Sequence, residues 1–189
     1  MSNTTVKYDY IIVGAGAAGL WAAAACAKNR VDTLVLEKTR RAGTKILSSG
    51  GSRCNLTTSL GPNEAARHFG EGKNFVTPAM RALSPQRVRQ HFEALGVQTK
   101  QEADFDKVFP ASDSAVEVRD ALLKDALESG ARVRLETPVS GVSAREGGWA
   151  VSVPGGEVTC DRLLLCSGGK SYPKSGTTGD GYDWLRALG

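Results

Sequence analysis

The feature that most constrains the fold is a short apolar run that leads into three glycines at fixed spacing. The run is YDYIIV, and Gly14, Gly16 and Gly19 follow it in the pattern G-x-G-x-x-G. An alanine-rich stretch, AAGLWAAAACAKN, continues the chain and has high helix propensity. This order predicts a strand, a tight turn and a helix, which together begin a βαβ unit.

A second apolar run, DTLVLEK, completes this unit and ends in an acid at Glu37. In such a fingerprint the first glycine permits the tight turn, the second lets the backbone approach a pyrophosphate, and the third allows close helix packing. The helix N-terminus then faces the phosphates, and Glu37 can accept hydrogen bonds from ribose hydroxyls. The glycines alone are weak evidence, but with this strand, helix and acid they predict a dinucleotide-binding unit at residues 1–38. Glycines serving only a tight βα turn would leave Glu37 unexplained.

The middle of the chain divides into a loop and a helical segment. Residues 39–60 are polar and glycine-rich without sustained periodicity, which predicts a long loop of the kind that is functional or disordered. Residues 61–130 carry two helix signals. One is a Ser-Pro start at residues 84–85, and the other is the capping-box spacing of Ser114 and Glu117 before an apolar stripe.

Residues 131–189 predict the remaining strands. The run ARVRLE indicates a strand that a second crossover adds to the same sheet. After Pro138, short runs broken by REGG and PGG indicate an antiparallel β-meander. DRLLLCSGG is a buried-type strand that runs into glycines, and a loop and a short helix stopping at Gly189 follow it. The expected fold class is therefore α/β, a Rossmann-like domain over residues 1–189 with a parallel sheet, a helical segment and a meander.

Composition narrows the classes of function. The net charge of +4 is spread along the chain with acids among the bases, unlike the basic stripe of nucleic-acid-binding proteins, so we expect no nucleic-acid partner. The apolar run near the amino terminus is too short for a signal-peptide core. No segment of the sequence approaches the roughly 18 uninterrupted apolar residues of a membrane span. We therefore expect no membrane partner and a cytoplasmic location, whereas the oligomeric state is left open.

Cysteine and histidine usage argues against a metal site. Neither a C-x-x-C spacing nor a cluster of imidazoles is present, and the absence of a secretory signal favours free thiols. Cys54, in the stretch SSGGSRCN, has two interpretations. It is either a redox-active thiol whose pKa the neighbouring Arg53 lowers, or a small residue in a loop that passes close to a cofactor. The lack of a partner cysteine nearby favours the second, and no other residue is predicted to be catalytic.

With these motifs in this order, the chain resembles the bacterial BaiN-like flavoproteins, which include aminoacetone oxidase and related NAD(P)/FAD-dependent oxidoreductases. The resemblance covers nearly the whole chain and rests on DYIIVGAGAAGL, LVLEK, GTKILSSGGSRCNLT, KVFPASDSA and LLLCSGGKSYPKSGTTGDGY. GGSRCN together with SYPKSGTTGDGY is far more specific than the glycine fingerprint. The resemblance implies an FAD-dependent oxidoreductase that transfers hydride through the flavin, with NAD(P)H as a transient reductant or a small organic molecule as substrate.

The resemblance also implies cofactor contacts. It places the glycine turn on the FAD pyrophosphate, Glu37 on the adenosine ribose, Val139 on the adenine through its backbone, and the residue 39–60 loop along the pyrophosphate towards the isoalloxazine. The predicted cofactor-binding residues are Gly14, Ala15, Gly16, Ala17, Ala18, Gly19, Glu37, Lys38, Lys45, Ser49, Gly50, Gly51, Arg53, Cys54, Asn55, Val139, Gly168 and Gly169.

Some positions depart from the family pattern. Ser52 stands where a third glycine is usual, Cys166 and Ser167 replace Ala-Thr, and Asp106 replaces a glycine. Family members are also about twice as long, with a second, largely β domain, so the chain is expected to be a fragment or a truncated product. This leaves a second hypothesis, a non-catalytic module that keeps only the adenosine and pyrophosphate part of the site. An NAD-only dehydrogenase is a third.

Overall fold

The computed structural model describes residues 6–102 and 105–189, which divide into two compact units. The first unit comprises Met1–Lys45 and Leu122–Gly189, and the second comprises Ile46–Ala121. In chain order, the strands and α-helices of the described residues are β1 (Lys7–Val13), α1 (Ala17–Lys28), β2 (Thr33–Leu36), α2 (Thr44–Ser48), β3 (Thr57–Thr58), α3 (Pro62–Arg67), α4 (Lys73–Ala82), α5 (Pro85–Ala94), β4 (Thr99–Gln101), β5 (Lys107–Pro110), α6 (Ala115–Glu128), β6 (Arg132–Arg134), β7 (Gly141–Arg145), β8 (Gly148–Val153), β9 (Gly156–Leu165) and α7 (Asp180–Leu188).

The first unit is built on a six-stranded sheet in the order β6-β2-β1-β9-β8-β7. The pairs among β6, β2, β1 and β9 are parallel, whereas β9, β8 and β7 pair antiparallel. Ile12 of β1 lies beside Val35 of β2 and Leu164 of β9. The predicted α/β class, with a Rossmann-like parallel sheet and an antiparallel meander, is confirmed.

β9 differs from the sequence prediction, because the last meander strand and the run DRLLL form one continuous strand. Its first half pairs with β8, and its second half pairs with β1. The polar pair Asp161 and Arg162 resembles a break in the apolar pattern, but both side chains are exposed and the backbone continues through them. A single strand therefore joins the meander to the parallel sheet.

Both faces of the parallel strands contribute to the core. Ile11, Val13 and Leu36 are buried in one cluster that extends to Val151 and Val158 of the meander. Residues that alternate with them point to the opposite face, as the pleat of a strand requires. The helix α1 contacts β1 and β2 and is buried through its apolar residues, Leu20, Ala23, Ala24 and Ala27.

The second unit contains helices, as predicted, but also a three-stranded antiparallel sheet in the order β3-β5-β4. The strands β4 and β5 lie within residues 61–130, where the sequence indicates a helical segment. These strands have two to four residues, too few for an alternation to be detected in the sequence. The residue 39–60 loop likewise contains the short helix α2. The predicted start of α5 is confirmed, since Ser84 Oγ accepts from the N–H of Arg87 at 3.2 Å.

The predicted capping box of α6 is formed only in part. The N–H of Glu117 donates to Ser114 Oγ at 3.4 Å, as the motif requires. The Glu117 carboxylate, however, accepts from Ser112 Oγ instead of reaching the backbone N–H of Ser114. That N–H donates to Ser112 Oγ at 3.3 Å. Ser112 thus replaces Glu117 as the acceptor for the N–H of Ser114.

The start of α1 lies directly against the turn that follows β1. A Cβ added at Gly19 would lie 1.9 Å from the carbonyl oxygen of Gly14 and 3.4 Å from Cβ of Cys166. Such a distance from a backbone atom cannot be relieved by a side-chain rotation. The third glycine of the fingerprint is therefore required for α1 to approach the sheet. No helix among residues 6–102 and 105–189 is both long and apolar enough to cross a bilayer.

We expect Gly19→Ala to destabilise the protein by about 2 kcal/mol or more, because overpacking against the backbone forces α1 away from the turn. Gly16→Ala is the matched control, since an added Cβ there meets no heavy atom of the described residues within 4 Å. Its effect should stay within about 0.5 kcal/mol. Urea unfolding followed by circular dichroism measures both variants, and equal midpoints would contradict the packing argument.

Candidate functional site

The first glycine of the turn joins the ends of three strands. Gly14 has φ of +103°, a conformation that L side chains rarely adopt. Its N–H donates to the carbonyl oxygen of Leu36 at 2.8 Å, and an added Cβ would lie 2.5 Å from the carbonyl oxygen of Cys166. The N–H of Cys166 in turn donates to Val13 O at 2.8 Å. Gly14 is therefore required by the junction of β1, β2 and β9.

Gly16, the second glycine of the turn, is required neither by its backbone conformation nor by packing. Its φ of −81° is open to any residue, and a Cβ added there meets no heavy atom of the described residues within 4 Å. The neighbouring Ala17 and Ala18 are exposed. Packing within the described chain does not demand a glycine here, whereas a ligand lying against the backbone would.

The helix α1 begins at this turn with its N-terminus open. Among the described residues, no side chain caps Gly16, and the first turn of α1 holds no acid. The first N–H groups of a helix have no intrahelical acceptor, and the helix dipole adds positive potential at that end. The amides of Ala17, Ala18 and Gly19 are thus suited to an anionic group such as a pyrophosphate.

Glu37 lies at the same turn, as the βαβ pattern predicts. Its Oε2 accepts from the N–H of Ala15 at 2.8 Å, and its Oε1 accepts from the N–H and Oγ1 of Thr39 at 2.9 and 2.8 Å. A carboxylate offers about four acceptor positions, and these bonds use three of them. Glu37 is therefore held in place and keeps acceptor capacity for a hydroxyl donor.

The predicted lysines are engaged by other side chains of the first unit. Lys38 Nζ donates to Asp180 Oδ2 and Thr178 Oγ1, each at 2.7 Å. The Lys38 ammonium lowers the pKa of Asp180, and the hydrogen bond from Thr178 adds to this effect. Lys45 Nζ donates to Ser171 Oγ at 3.2 Å. Cofactor contacts of both lysines stay predictions, and Lys38 also ties the end of β2 to the start of α7.

Three further predicted residues lie on segments adjoining the turn. Val139 follows Thr137, whose N–H donates to the carbonyl oxygen of Glu37 at 2.8 Å, so this segment lies at the end of β2. Gly168 has φ of +76°, and an added Cβ would lie 2.6 Å from Thr177 Cγ2, while one at Gly169 would lie 3.4 Å from a tyrosine hydroxyl. The loop after β9 is thus closely packed, and its contact with a cofactor stays a prediction.

The predicted loop at Ser49–Asn55 belongs to the second unit and has an unusual backbone. Gly50, Gly51 and Ser52 have φ of +54°, +66° and +68°, and Cys54 has φ of +62°. Left-handed conformations are unfavourable for residues with a side chain and concentrate at functional positions. The positive φ of Ser52 explains why the family pattern has a glycine there.

Arg53 and Asn55 of this loop differ in their contacts with the rest of the second unit. The Arg53 guanidinium pairs with Glu102, lies 3.5 Å from Asp113 Oδ1 and stacks 4.2 Å above the centre of the Phe109 ring. Asn55 is exposed. Arg53 has further N–H groups beside the one that pairs with Glu102, and contact of Arg53 or Asn55 with a cofactor stays a prediction.

Cys54 is buried, with 6% of the residue exposed. Burial raises the pKa of this thiol, against a weaker opposing effect of the hydrogen bond with Ser49. The thiol is thus protonated at neutral pH, whereas a nucleophilic cysteine needs a lowered pKa. The geometry does not support the redox-active interpretation. The four cysteines are free, as the composition indicates.

The sequence patterns did not identify the acids that pair with Lys38 in the first unit and with Arg53 in the second. Asp180 stands in the recognised stretch SYPKSGTTGDGY but was given no role, and Glu102 and Asp113 were not singled out. No local signal could identify them, because Asp180 is 142 positions from its partner Lys38 and Glu102 is 49 positions from Arg53. Only the folded chain brings them together.

We expect Ser52→Gly to stabilise the protein by about 0.5 kcal/mol. The gain from removing a left-handed L-residue, roughly 1–2 kcal/mol, exceeds the conformational entropy that glycine adds to the unfolded chain. Ser52→Ala is the matched control and should give no gain, since alanine keeps the Cβ. Chemical denaturation measures both, and a Ser52→Gly variant less stable than the wild type would refute the strain argument.

The chain is similar to known proteins over nearly its whole length. The chain is 29% identical to a 3-dehydro-bile acid delta(4,6)-reductase of Clostridium scindens, over 94% of this chain and 43% of that protein. It is 28% identical to a ribosomal RNA dihydrouridine synthase of Escherichia coli, over 97% of this chain and 45% of that protein. The chain thus spans less than half the length of these curated relatives.

A solved structure shares the fold. The open conformation of a flavocytochrome c3 fumarate reductase superposes with a TM-score of 0.65 at 19% identity, over 100% of this chain and 41% of that one. The family resemblance noted in the sequence is confirmed at the level of the whole chain. Residues 8–189 match the family described as the HI0933-like protein Rossmann domain, and the chain belongs to this family.

Proposed function

We propose that this chain binds FAD and forms part of a flavin-dependent oxidoreductase, in which hydride passes through the flavin from NAD(P)H or to and from an organic substrate. The observation that carries the proposal is the glycine turn. Open space at Gly16, the uncapped start of α1 and a Glu37 carboxylate bonded to Ala15 N all meet at one point of the first unit. This combination fits a dinucleotide better than a turn that serves packing alone.

The residues of the turn fit the adenosine and pyrophosphate half of FAD. The backbone N–H groups at the start of α1 hold the phosphates, because Gly16 leaves them accessible and the helix dipole favours negative charge. Glu37 accepts from the ribose hydroxyls with the acceptor capacity that Ala15 and Thr39 leave unused. The bonds from Ala15 and Thr39 keep the carboxylate oriented before the cofactor arrives.

In this scheme the flavin supplies the hydride chemistry when it is bound, and the protein supplies binding, orientation and exclusion of water. The residues of the first unit bind and orient, and the reaction requires no side-chain acid or base among them. The loop at Ser49–Asn55 is proposed, on the family resemblance, to extend along the cofactor towards the isoalloxazine. A protonated, buried Cys54 suits a lining role in that loop.

The names of the two relatives describe reductions, which supports this reaction class. We expect a small organic substrate for this protein, and the choice between NADH and NADPH is left to experiment. One relative acts by its name on ribosomal RNA, so the absence of a nucleic-acid partner stays a prediction. The cytoplasmic location also stays a prediction. A uridine-containing RNA oligonucleotide therefore belongs among the test substrates, beside steroid enones.

A dinucleotide-binding module without turnover is the second candidate. It is favoured by one observation: the features that carry the proposal, Gly16 and Glu37, concern binding rather than a reacting group. The two candidates differ in one measurement. An oxidoreductase, once loaded with FAD, loses the visible flavin absorption when NADH, NADPH or an oxidisable organic substrate is added without oxygen. A module binds ADP and FAD but shows no such bleaching.

Gly16→Val should weaken FAD binding at least about tenfold, or roughly 1.4 kcal/mol, because the side chain fills the space that the pyrophosphate needs. Quenching of flavin fluorescence on titration measures the affinity, and the melting temperature should be unchanged. The matched control is Gly61→Val. Gly61 precedes α3, has an ordinary φ of −65°, and an added Cβ there meets no described heavy atom within 4 Å. Equal affinities of the two variants, or no binding by the wild type, would refute the proposal.

Cys54→Ser should retain both FAD and turnover, because a buried thiol of raised pKa takes no part in the chemistry. Steady-state reduction rates and the flavin content of the purified variant measure the two properties. A variant that keeps its flavin but loses turnover would show instead that the thiol reacts. Circular dichroism checks that the fold is intact.

A further inference from the structure

The loop at residues 50–54 of the second unit adopts a backbone that its own sequence does not favour. Ser52 and Cys54 have φ of +68° and +62°, although both carry side chains. Its local backbone bonds are few: Cys54 N donates to Ser49 O at 3.0 Å, and Arg53 N donates both to Gly50 O at 3.4 Å and to Ser49 O. A strained conformation persists only where the surroundings enforce it. The loop therefore needs an external support.

Arg53 connects the loop to that support. Its Cζ lies 4.2 Å above the centre of the Phe109 ring, within the range of a cation–π contact. Its Nη1 pairs with Glu102 and lies 3.5 Å from Asp113 Oδ1. The guanidinium thus contacts an aromatic face and two carboxylates, an arrangement that suits the planar, delocalised charge of arginine.

The same aromatic ring also contacts the other end of the loop. A Cβ added at Gly50 would lie 2.9 Å from Phe109 Cε1 and 2.7 Å from the N of Asn55. Phe109 itself is 2% exposed and lies in β5, whose residue Val108 accepts from the N–H of Leu56 at 2.8 Å. The ring is therefore a fixed surface against which both Gly50 and Arg53 are placed.

The two carboxylates are themselves fixed. Asp113 also pairs with Lys100 of β4, and Lys100, followed by Arg53, holds the pKa of Asp113 below its usual value. Glu102 follows directly after β4. Two acids and two bases thus alternate in one cluster. A single half-exposed ion pair adds little to the stability of a protein. Ion pairs that form a network around a stacked guanidinium contribute more.

We propose that Glu102 and Asp113 are positioning residues, which hold Arg53 against Phe109 and thereby keep the loop of residues 50–54 in its left-handed conformation, ready to line the flavin. The link to the flavin rests on the function proposed above. The positioning itself is a property of the second unit and does not depend on the cofactor. This separates the two claims experimentally.

The test uses the full chain with Glu102→Gln and Asp113→Asn combined, and separately with Arg53→Lys, which keeps the charge but loses the planar fork. Glu93→Gln is the matched control, because Glu93 pairs with Arg89 in the same unit at 37% and 39% side-chain exposure, close to the 39% and 28% of Arg53 and Glu102. Amide hydrogen exchange at residues 50–56 is compared with exchange in β1 and β2. FAD affinity is measured on the same samples.

We expect exchange at residues 50–56 to become about tenfold faster in the double variant and in Arg53→Lys, with β1, β2 and the control unchanged. Unchanged loop exchange, or a rise no larger than in the control, would overturn the proposal. FAD affinity should fall about tenfold in the same variants. Faster exchange with unchanged affinity would overturn the link to the cofactor. If the wild type binds no FAD, the proposed function fails, while the exchange data still decide the positioning role.

Discussion

The close approach of α1 to the turn after β1 is the constraint on which the first unit depends. Hydrogens in place of side chains at Gly14 and Gly19 let the helix, β1 and the end of β9 meet within backbone contact distance. That approach aims the N-terminus of α1 at the edge where β1, β2 and β9 end. A larger residue at either position would separate these elements and would disrupt the backbone geometry that we propose to bind an anion.

The three glycines of the fingerprint are therefore not equivalent. Gly14 and Gly19 are required by contacts inside the protein, whereas Gly16 adjoins open space and an ordinary backbone conformation. Gly14 and Gly19 are therefore needed for stability, whereas Gly16 is the glycine that we propose to serve binding. Glu37 links the two properties, because the carboxylate that is proposed to meet a ribose is also bonded to the N–H of Ala15. The proposed binding and the fold thus depend on the same small set of hydrogen bonds at Glu37.

Strong local patterns predicted most of the first unit and one helix of the second. The glycine spacing, the apolar runs of β1 and β2 and the Ser-Pro start of α5 depend on neighbouring residues, so they could be recognised without a structure. The joined strand β9 and the small sheet of the second unit could not. In β9, exposure of Asp161 and Arg162 hides the continuity, and the strands β3, β4 and β5 are too short to show a period.

The sequence by itself determined the α/β class, the dinucleotide fingerprint and the acid at Glu37, because each is set by spacing along the chain. Only the tertiary structure decided which side chains support the candidate site. The partners of Lys38 and Arg53 are 142 and 49 positions away, and the left-handed backbone at Ser52 and Cys54 shows only in the folded loop. Contacts between distant segments depend on how strands and helices pack, and no local pattern of residues encodes them.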